Sequence, residues 1–239
     1  MIQILNLKKQ YKKATVLDNI CLEIGKQETV VVVGPSGSGK TTLLRLIAGL
    51  EKPDAGEIYI QGIKSSKPQN IIIPPNRRRL GMIFQDLALW PHMTARENIE
   101  LGLISLGMSK NKRKQKLKKM RGHIDIDSFI NRYPEHLSGG EKQKVALART
   151  LILEPDILLM DEPLNSLDTV QKDDILLLIK QLVKLYKITM IYVTHNREEA
   201  LFMSDRICVM SNGRIVQTGV KEELVKNPKS KFIQYFFKG

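Results

Sequence analysis

The sequence predicts an α/β protein whose mostly parallel sheet is covered on both faces and interrupted by a helical insertion. Three observations carry this. Short apolar runs at 28–33, 156–160 and 188–194 have the length and β-branched content of fully buried strands. Stretches with helical spacing alternate with them, the pattern of strand–helix–strand units. Between Thr94 and Leu153 the strand signal gives way to a helical period, so that stretch reads as the insertion.

Taken in order, strand signals come first at 2–7, 16–24 and 28–33, with Gly25 and Lys26 breaking the last two apart. A glycine-rich turn at 34–39 leads into a helix-like stretch at 42–50. A short strand follows at 56–62 between turn residues, then a loop at 65–79, then a strand at 80–84 that runs into Gln85. Thr94 is an N-cap candidate with Glu97 three residues on, and helices are expected near 95–107, 112–121 and 125–132. Another begins after Ser138-Gly139-Gly140 and runs to Glu154, where Pro155 stops it. Beyond the 156–160 strand, Ile175, Leu178, Ile179 and Leu182 give 170–186 a helical stripe. Strands at 206–210 and 214–218 flank Ser211-Asn212-Gly213, the composition of a tight hairpin turn. The last 20 residues read as two short helices split by Pro228.

With 239 residues, of which 42% are hydrophobic, the chain can bury a core as one large domain or as a domain with an inserted subdomain. No stretch approaches the roughly 18 apolar residues that span a bilayer, and the N-terminus lacks the basic-then-apolar order of a secretion signal. A cytoplasmic location is therefore expected. Cys21 and Cys208 lie in apolar, strand-like segments and read as small reduced core residues. The net charge of +13 is concentrated: residues 109–121 hold eight basic side chains and no acid. A solvated helix face is the leading reading of this run, with contact to anionic lipid headgroups as the alternative. Nucleic acid is disfavoured, because no aromatic residue interleaves with the lysines to stack on bases.

The chemistry is concentrated at strand ends. Gly34-Pro35-Ser36-Gly37-Ser38-Gly39-Lys40-Thr41 follows an apolar strand and precedes a helix. Glycines let successive backbone N–H groups point inward at phosphate oxygens, and the helix adds its positive end. Lys40 is then a point charge on the terminal phosphates, and the Thr41 hydroxyl a Mg²⁺ ligand. Asp161 and Glu162 follow the 156–160 strand, where doubly wound sheets place their sites. There Asp161 would hold Mg²⁺ and Glu162 would polarise an attacking water. His195, after the 188–194 strand, and Gln85, after the 80–84 strand, are further polar groups on the same edge. Leu137-Ser138-Gly139-Gly140-Glu141 offers a small hydroxyl, two glycines and a fresh helix N-terminus, a second anion cradle far along the chain. One triphosphate does not need two cradles, so a partner chain, a second copy or a related one, is expected to complete each site in a two-fold arrangement.

These motifs, in this order, resemble the ABC-type ATPases, the nucleotide-binding subunits of ABC transporters. The resemblance covers the whole chain. It implies a P-loop (RecA-like) core with a mostly parallel sheet, an antiparallel β subdomain and an inserted α-helical subdomain. On that pattern 1–93 and 154–239 form the catalytic core and 94–153 the helical subdomain. ATP and Mg²⁺ are the implied ligands. Tyr11 would stack on adenine, Thr42 would adjoin the phosphate loop, Gln85 would act at the metal and the water, and His195 would be the switch histidine. The D-loop spans Asn165-Ser166-Leu167-Asp168, with Asp168 at the nucleotide. The implied assembly is a head-to-tail dimer, with ATP between the phosphate loop of one subunit and Ser138, Gly139, Gly140 and Glu141 of the other.

The implied partners are a second ATPase subunit, transmembrane permease subunits and an extracytoplasmic substrate-binding protein, with no nucleic acid. The protein would lie peripherally on the inner face of the cell membrane. The segment 85–94, containing Trp90, and Tyr133-Pro134-Glu135-His136 are importer-like. An exporter subunit is the alternative. A soluble ATPase of DNA repair or the ribosome is disfavoured, since the chain has neither a long coiled-coil insertion nor a second ATPase core. Two positions depart from the family: Glu141 where Gln is usual, and Asn165-Ser166 where Ser-Ala is commoner. A carboxylate at 141 near the opposing γ-phosphate would repel it, but the glycines and Ser138 supply the main contacts, so retained activity with altered closure is expected.

Overall fold

The structure, a computed structural model, describes residues 1–12, 14–165 and 167–238. The chain opens with strands β1 (Ile2–Tyr11), β2 (Ala14–Ile24) and β3 (Thr29–Val33), then helix α1 (Lys40–Ala48). Strands β4 (Ala55–Ile60), β5 (Ile63–Lys67), β6 (Asn70–Ile71) and β7 (Leu80–Ile83) follow. Next come helices α2 (Ala95–Ser105), α3 (Lys110–Arg121) and α4 (Gly139–Leu151). Strand β8 (Ile157–Asp161), helix α5 (Thr169–Tyr186), strand β9 (Thr189–Val193) and helix α6 (Arg197–Met203) lead to the hairpin β10 (Arg206–Ser211) and β11 (Arg214–Gly219). Helices α7 (Lys221–Lys226) and α8 (Lys231–Lys238) close the order, on either side of Pro228 as expected.

Two compact units divide these elements. The first comprises Met1–Leu80, Ile157–Asp161 and Ile188–Gly239; the second comprises Gly81–Asp156 and Glu162–Lys187. The second is thus broader than 94–153 and takes in α5.

In the first unit the strands β11-β10-β3-β9-β8 are neighbours in that order, parallel except for β11. Every residue of β3, β8 and β9 is buried, as parallel strands covered on both faces require. This accounts for their uninterrupted apolar sequences. The β10–β11 turn has Asn212 and Gly213 at positive φ, 48° and 73°, which matches the twist of a two-residue hairpin. A second, antiparallel sheet runs β2-β1-β4-β5-β6.

Three expectations are corrected. The stretch 65–79 is not simply a loop: it completes β5, adds β6 and a 3₁₀ turn at Pro75–Arg77. The sequence hid this because β5 and the edge strand β6 are polar in composition, with Ser65 and Ser66 buried against a charge rather than in an apolar core. Residues 125–132 form turns instead of a helix, although Ile126, Phe129 and Ile130 are buried. Their carbonyls serve elsewhere: Ala95 N–H donates to Arg132 O and Arg96 N–H to Ile130 O, both at 2.8 Å, satisfying orphan donors at the start of α2. Cys21 is exposed, its thiol donating to Asn6 Oδ1 at 3.1 Å, because it falls on the open face of β2. Cys208 is a core residue as expected, and burial pushes its thiol up to about 12. In addition, α4 ends at Leu151, and Glu154 takes a left-handed φ of 53°.

Arg78 fastens this edge to α1. It is 4% exposed and has no carboxylate partner among the described residues. Instead its guanidinium donates to Ile73 O (2.7 Å), Ile47 O (2.6 Å), Leu46 O (3.3 Å), Ser65 O (2.9 Å) and Ser66 Oγ (2.7 Å). Burial lowers its pKa to about 10, which leaves it charged at neutral pH. The positive charge lies on the C-terminal carbonyls of α1, where the helix dipole favours it. Arg78→Met should cost about 3 kcal/mol or more, since several carbonyls lose their donor together. Urea unfolding of the two proteins checks this, and a loss below about 1 kcal/mol would contradict the assigned role.

Candidate functional site

The first unit builds a phosphate-sized cradle at the C-terminal end of β3. Gly34 passes so close to the neighbouring strand that a Cβ there would fall 2.1 Å from Met210 O. Gly39, at φ 98°, is the N-cap of α1, and a Cβ on it would meet Leu17 Cδ2 at 2.5 Å. Only glycine allows this path. No side chain caps α1 and its first turn holds no acid, so its leading N–H groups remain directed at the loop. Lys40 is 7% exposed and donates to Gly34 O (2.9 Å) and Pro35 O (3.1 Å), which holds its ammonium on the loop. Ser38 Oγ, buried inside the loop, has no hydrogen-bond partner among the described residues. A cradle lined with N–H groups, a lysine and an orphaned hydroxyl fits a phosphate chain.

Two strands away, Asp161 ends β8 and is 6% exposed. The Thr41 hydroxyl donates to Asp161 Oδ1 at 3.1 Å, which joins the loop to the carboxylate across 120 residues. A hydroxyl and a carboxylate are the hard oxygen donors Mg²⁺ takes, with phosphate and water completing its shell. No group of three or more His, Cys, Asp or Glu forms a metal cluster among the described residues.

Asp161 pairs in register with Val193 of β9, and His195 follows two residues later, exposed. The segment around it is fixed by Glu199, which is 3% exposed. Tyr192 Oη donates to Glu199 Oε2 at 2.9 Å and Thr194 Oγ1 to the same oxygen at 2.7 Å. Asn196 caps α6 by accepting from Glu199 N–H at 2.9 Å, while Asn196 N–H donates to Thr194 Oγ1 at 3.0 Å. These bonds clamp the residues on both sides of His195. Tyr11 lies at the end of β1, 41% exposed, its hydroxyl donating to Glu51 and Lys9 Nζ lying 5.3 Å from its ring centroid.

The second unit carries the other motif residues. Ser138 is the N-cap of α4 in a capping box: Glu141 N–H donates to Ser138 Oγ at 3.2 Å, and Ser138 N–H donates to Glu141 Oε2 at 2.7 Å. Arg132 lies 3.7 Å from Glu141 Oε1. The carboxylate that departs from the family pattern is thus turned back onto the helix start and partly neutralised. Gly140 N–H donates to Gln171 Oε1 at 3.2 Å, and Asp168 caps α5 by accepting from Gln171 N–H at 2.9 Å. Asp168 and Gly140 therefore share one network through Gln171. Glu162 has a left-handed φ of 45° and accepts from the Asn165 side chain, and Ser166 lies outside the described residues. Gln85 is exposed beyond β7.

Sequence reasoning missed the residues that shape 85–94. Asn98, fully buried, accepts from Trp90 N–H (2.8 Å) and donates to Trp90 O (3.1 Å), Met93 O (3.0 Å) and Thr94 O (3.1 Å). Arg149 donates to Leu87 O (2.6 Å) and Ala88 O (2.5 Å), two residues at positive φ. The loop so held presents Trp90 with half its surface exposed. A buried Asn inside a helix was the one available signal, because such a carboxamide must find partners. Glu199 could have been found by the same argument only with its burial known.

A glycine loop on a central parallel strand, a buried lysine and a hydroxyl–carboxylate pair define a P-loop nucleotide-binding protein. The family model described as ABC transporter matches residues 17–165, and the chain belongs to that family. It is 43% identical to the Fe(3+) ions import ATP-binding protein FbpC of Escherichia coli O157:H7 over 98% of this chain and 66% of that protein. The protein of the same name from Fusobacterium nucleatum is 40% identical over 98% of this chain and 62% of its own length. The chain thus spans about two-thirds of the length of these relatives. Among solved structures it resembles the ATP-binding cassette MJ0796, captured as a dimer in a post-hydrolysis state with ADP and Pi. The TM-score is 0.82 at 35% identity, covering 92% of this chain and 98% of that one.

The capping geometry makes Glu141 testable. Glu141→Gln keeps a side-chain acceptor for Ser138 N–H and should leave stability within about 0.5 kcal/mol, whereas Glu141→Ala should lose about 1 kcal/mol. Thermal unfolding of both variants checks it, and equal losses would count against the capping role.

Proposed function

We propose that this chain is the ATP-hydrolysing subunit of a membrane importer, peripheral to the membrane and working as a head-to-tail dimer. One observation carries the reading: the loop of Gly34 to Thr41, with buried Lys40 and the orphaned Ser38 hydroxyl, is built for a phosphate chain, and a second glycine-bearing helix start stands at Ser138. Two such motifs per chain and one triphosphate per site are reconciled when the loop of one copy meets Ser138 to Glu141 of another. The dimeric form of the cassette MJ0796 supports this arrangement.

In this reading Lys40 and the N–H groups of the loop bind the β- and γ-phosphates, and Tyr11 lies along adenine. Thr41, Asp161 and Gln85 would hold Mg²⁺, which supplies charge neutralisation on the phosphates. Glu162 accepts the proton of the attacking water, so that the water oxygen bonds to γ-phosphorus as the bond to the β,γ-bridging oxygen breaks, leaving ADP and phosphate. His195, steadied by Glu199, Thr194 and Asn196, senses the γ-phosphate. Ser138, Gly139, Gly140 and Asp168 contact the nucleotide of the opposing copy, and release of the two copies follows loss of the shared phosphate.

In this reading transport runs through separate permease subunits; no helix among the described residues is long and apolar enough to cross a membrane. The loop fixed by Asn98 and Arg149, with Trp90 exposed, is the proposed docking surface for them. The relatives named for Fe(3+) import support import over export and put ferric ion first among cargoes to test; an extracytoplasmic substrate-binding protein is a further proposed partner.

Lys40→Ala should lower ATP hydrolysis by at least about 100-fold, and normal turnover would refute the site. Glu162→Gln should slow hydrolysis by about 100-fold or more while still binding ATP, and should accumulate as a dimer in Mg-ATP during size-exclusion chromatography. A monomer at saturating nucleotide would overturn the two-copy site.

A further inference from the structure

We propose that α3 is an anionic-lipid contact: its outward lysines, with Ile104 and Leu106 at the end of α2, bind the phosphodiester headgroups of a membrane surface. The structure divides the eight basic side chains of 109–121 into two sets. Arg113 pairs with Glu100 (3.2 Å), Lys116 and Lys119 with Glu154 (3.0 and 3.7 Å), and Arg121 with Asp127. Those four brace the second unit from within. Lys110, Lys112, Lys114 and Lys118 are exposed and make no ion pair among the described residues.

Among the described residues no ion pair ties the second set to the rest of the chain. Lys110, Lys114 and Lys118 repeat every four residues, so they form a stripe along one side of the helix, while Leu117 and Met120 face the core. The first turn of α3 carries Lys110, Lys112 and Arg113 with no acid, and Ser109 makes no side-chain cap. Positive charge there opposes the helix dipole, so these lysines lower the helix's own stability. An external anion would relieve that opposition.

Apolar residues stand beside the stripe. Ile104 is 50% exposed and Leu106 70%, although both are large aliphatic side chains. Only three residues lie between Leu106 and Lys110, which keeps the two within about 15 Å even if extended. Basic charge next to exposed aliphatic side chains suits a bilayer interface, where lysines meet headgroups and leucine reaches the acyl boundary. Nucleic acid would instead call for aromatic platforms, and 109–121 contains none.

Flotation of the purified full chain with lipid vesicles tests this, without nucleotide or permease and therefore independently of the proposed transport role. The chain should float with vesicles containing roughly one-third phosphatidylglycerol and stay behind with pure phosphatidylcholine, and binding should vanish as salt rises from about 0.1 to 0.5 M. K110Q/K114Q/K118Q should weaken partitioning about 100-fold, at roughly fivefold per lysine, with an unchanged unfolding midpoint and unchanged basal ATP hydrolysis. Leu106→Ser should weaken it several-fold at every salt concentration. Equal binding to both vesicle types, or full binding by the triple variant, would overturn the proposal. So would tighter binding to single-stranded RNA that the triple substitution abolishes, which would reassign the stripe to nucleic acid.

Discussion

The parallel pairing of β10, β3, β9 and β8 is the constraint on which the first unit's chemistry depends. Parallel strands bring their C-terminal ends to one edge, and their complete burial fixes the register, since a one-residue slip would exchange the two buried faces. That register sets Asp161 beside Val193 and starts the glycine loop next to Met210. The Thr41–Asp161 hydrogen bond follows from sheet geometry, not from any local signal. Chemistry assembled from residues 120 positions apart is held to hydrogen-bond distance by strands whose buried side chains are mostly apolar.

The supporting polar groups share one physical pattern. Arg78, Asn98, Arg149 and Glu199 are extensively hydrogen-bonded, with donors or acceptors spent on backbone or on residues flanking a motif. Each orders a non-repetitive segment that has too little apolar surface to order itself. Loss of conformational entropy in such segments runs to about 1–2 kcal/mol per residue, and several hydrogen bonds from one rigid side chain offset it over a short stretch. Functional loops in this protein are stiffened in this way: 85–94 by Asn98 and Arg149, and the neighbourhood of His195 by Glu199.

Charge is organised by the same economy. Glu141 serves Ser138 and Arg132, so the acid at a family-atypical position is absorbed into a helix cap. In α3 half of the basic side chains are absorbed in a comparable manner and half are left to solvent. Net charge alone did not distinguish these sets, because the acids that neutralise Arg113, Lys116, Lys119 and Arg121 lie outside the basic run, at Glu100, Asp127 and Glu154.

The order of strands and helices, the glycine loop, the Thr94 capping box and the Asn212-Gly213 turn were legible in the linear sequence, because each depends on neighbours within a few residues. The family followed from the spacing of such local motifs. Tertiary structure decided what depends on distant partners: that 65–79 adds strands to a sheet edge around Arg78, and that 125–132 gives up its carbonyls to α2 instead of forming a helix. It also put Cys21 in the open and Cys208 in the core, although both sit in similar apolar sequence. Periodicity reports which side of an element is apolar, but what lies opposite that side is set by chain segments tens of residues away. For that reason the sequence named the phosphate loop and the signature, while only the fold showed which buried polar groups hold them.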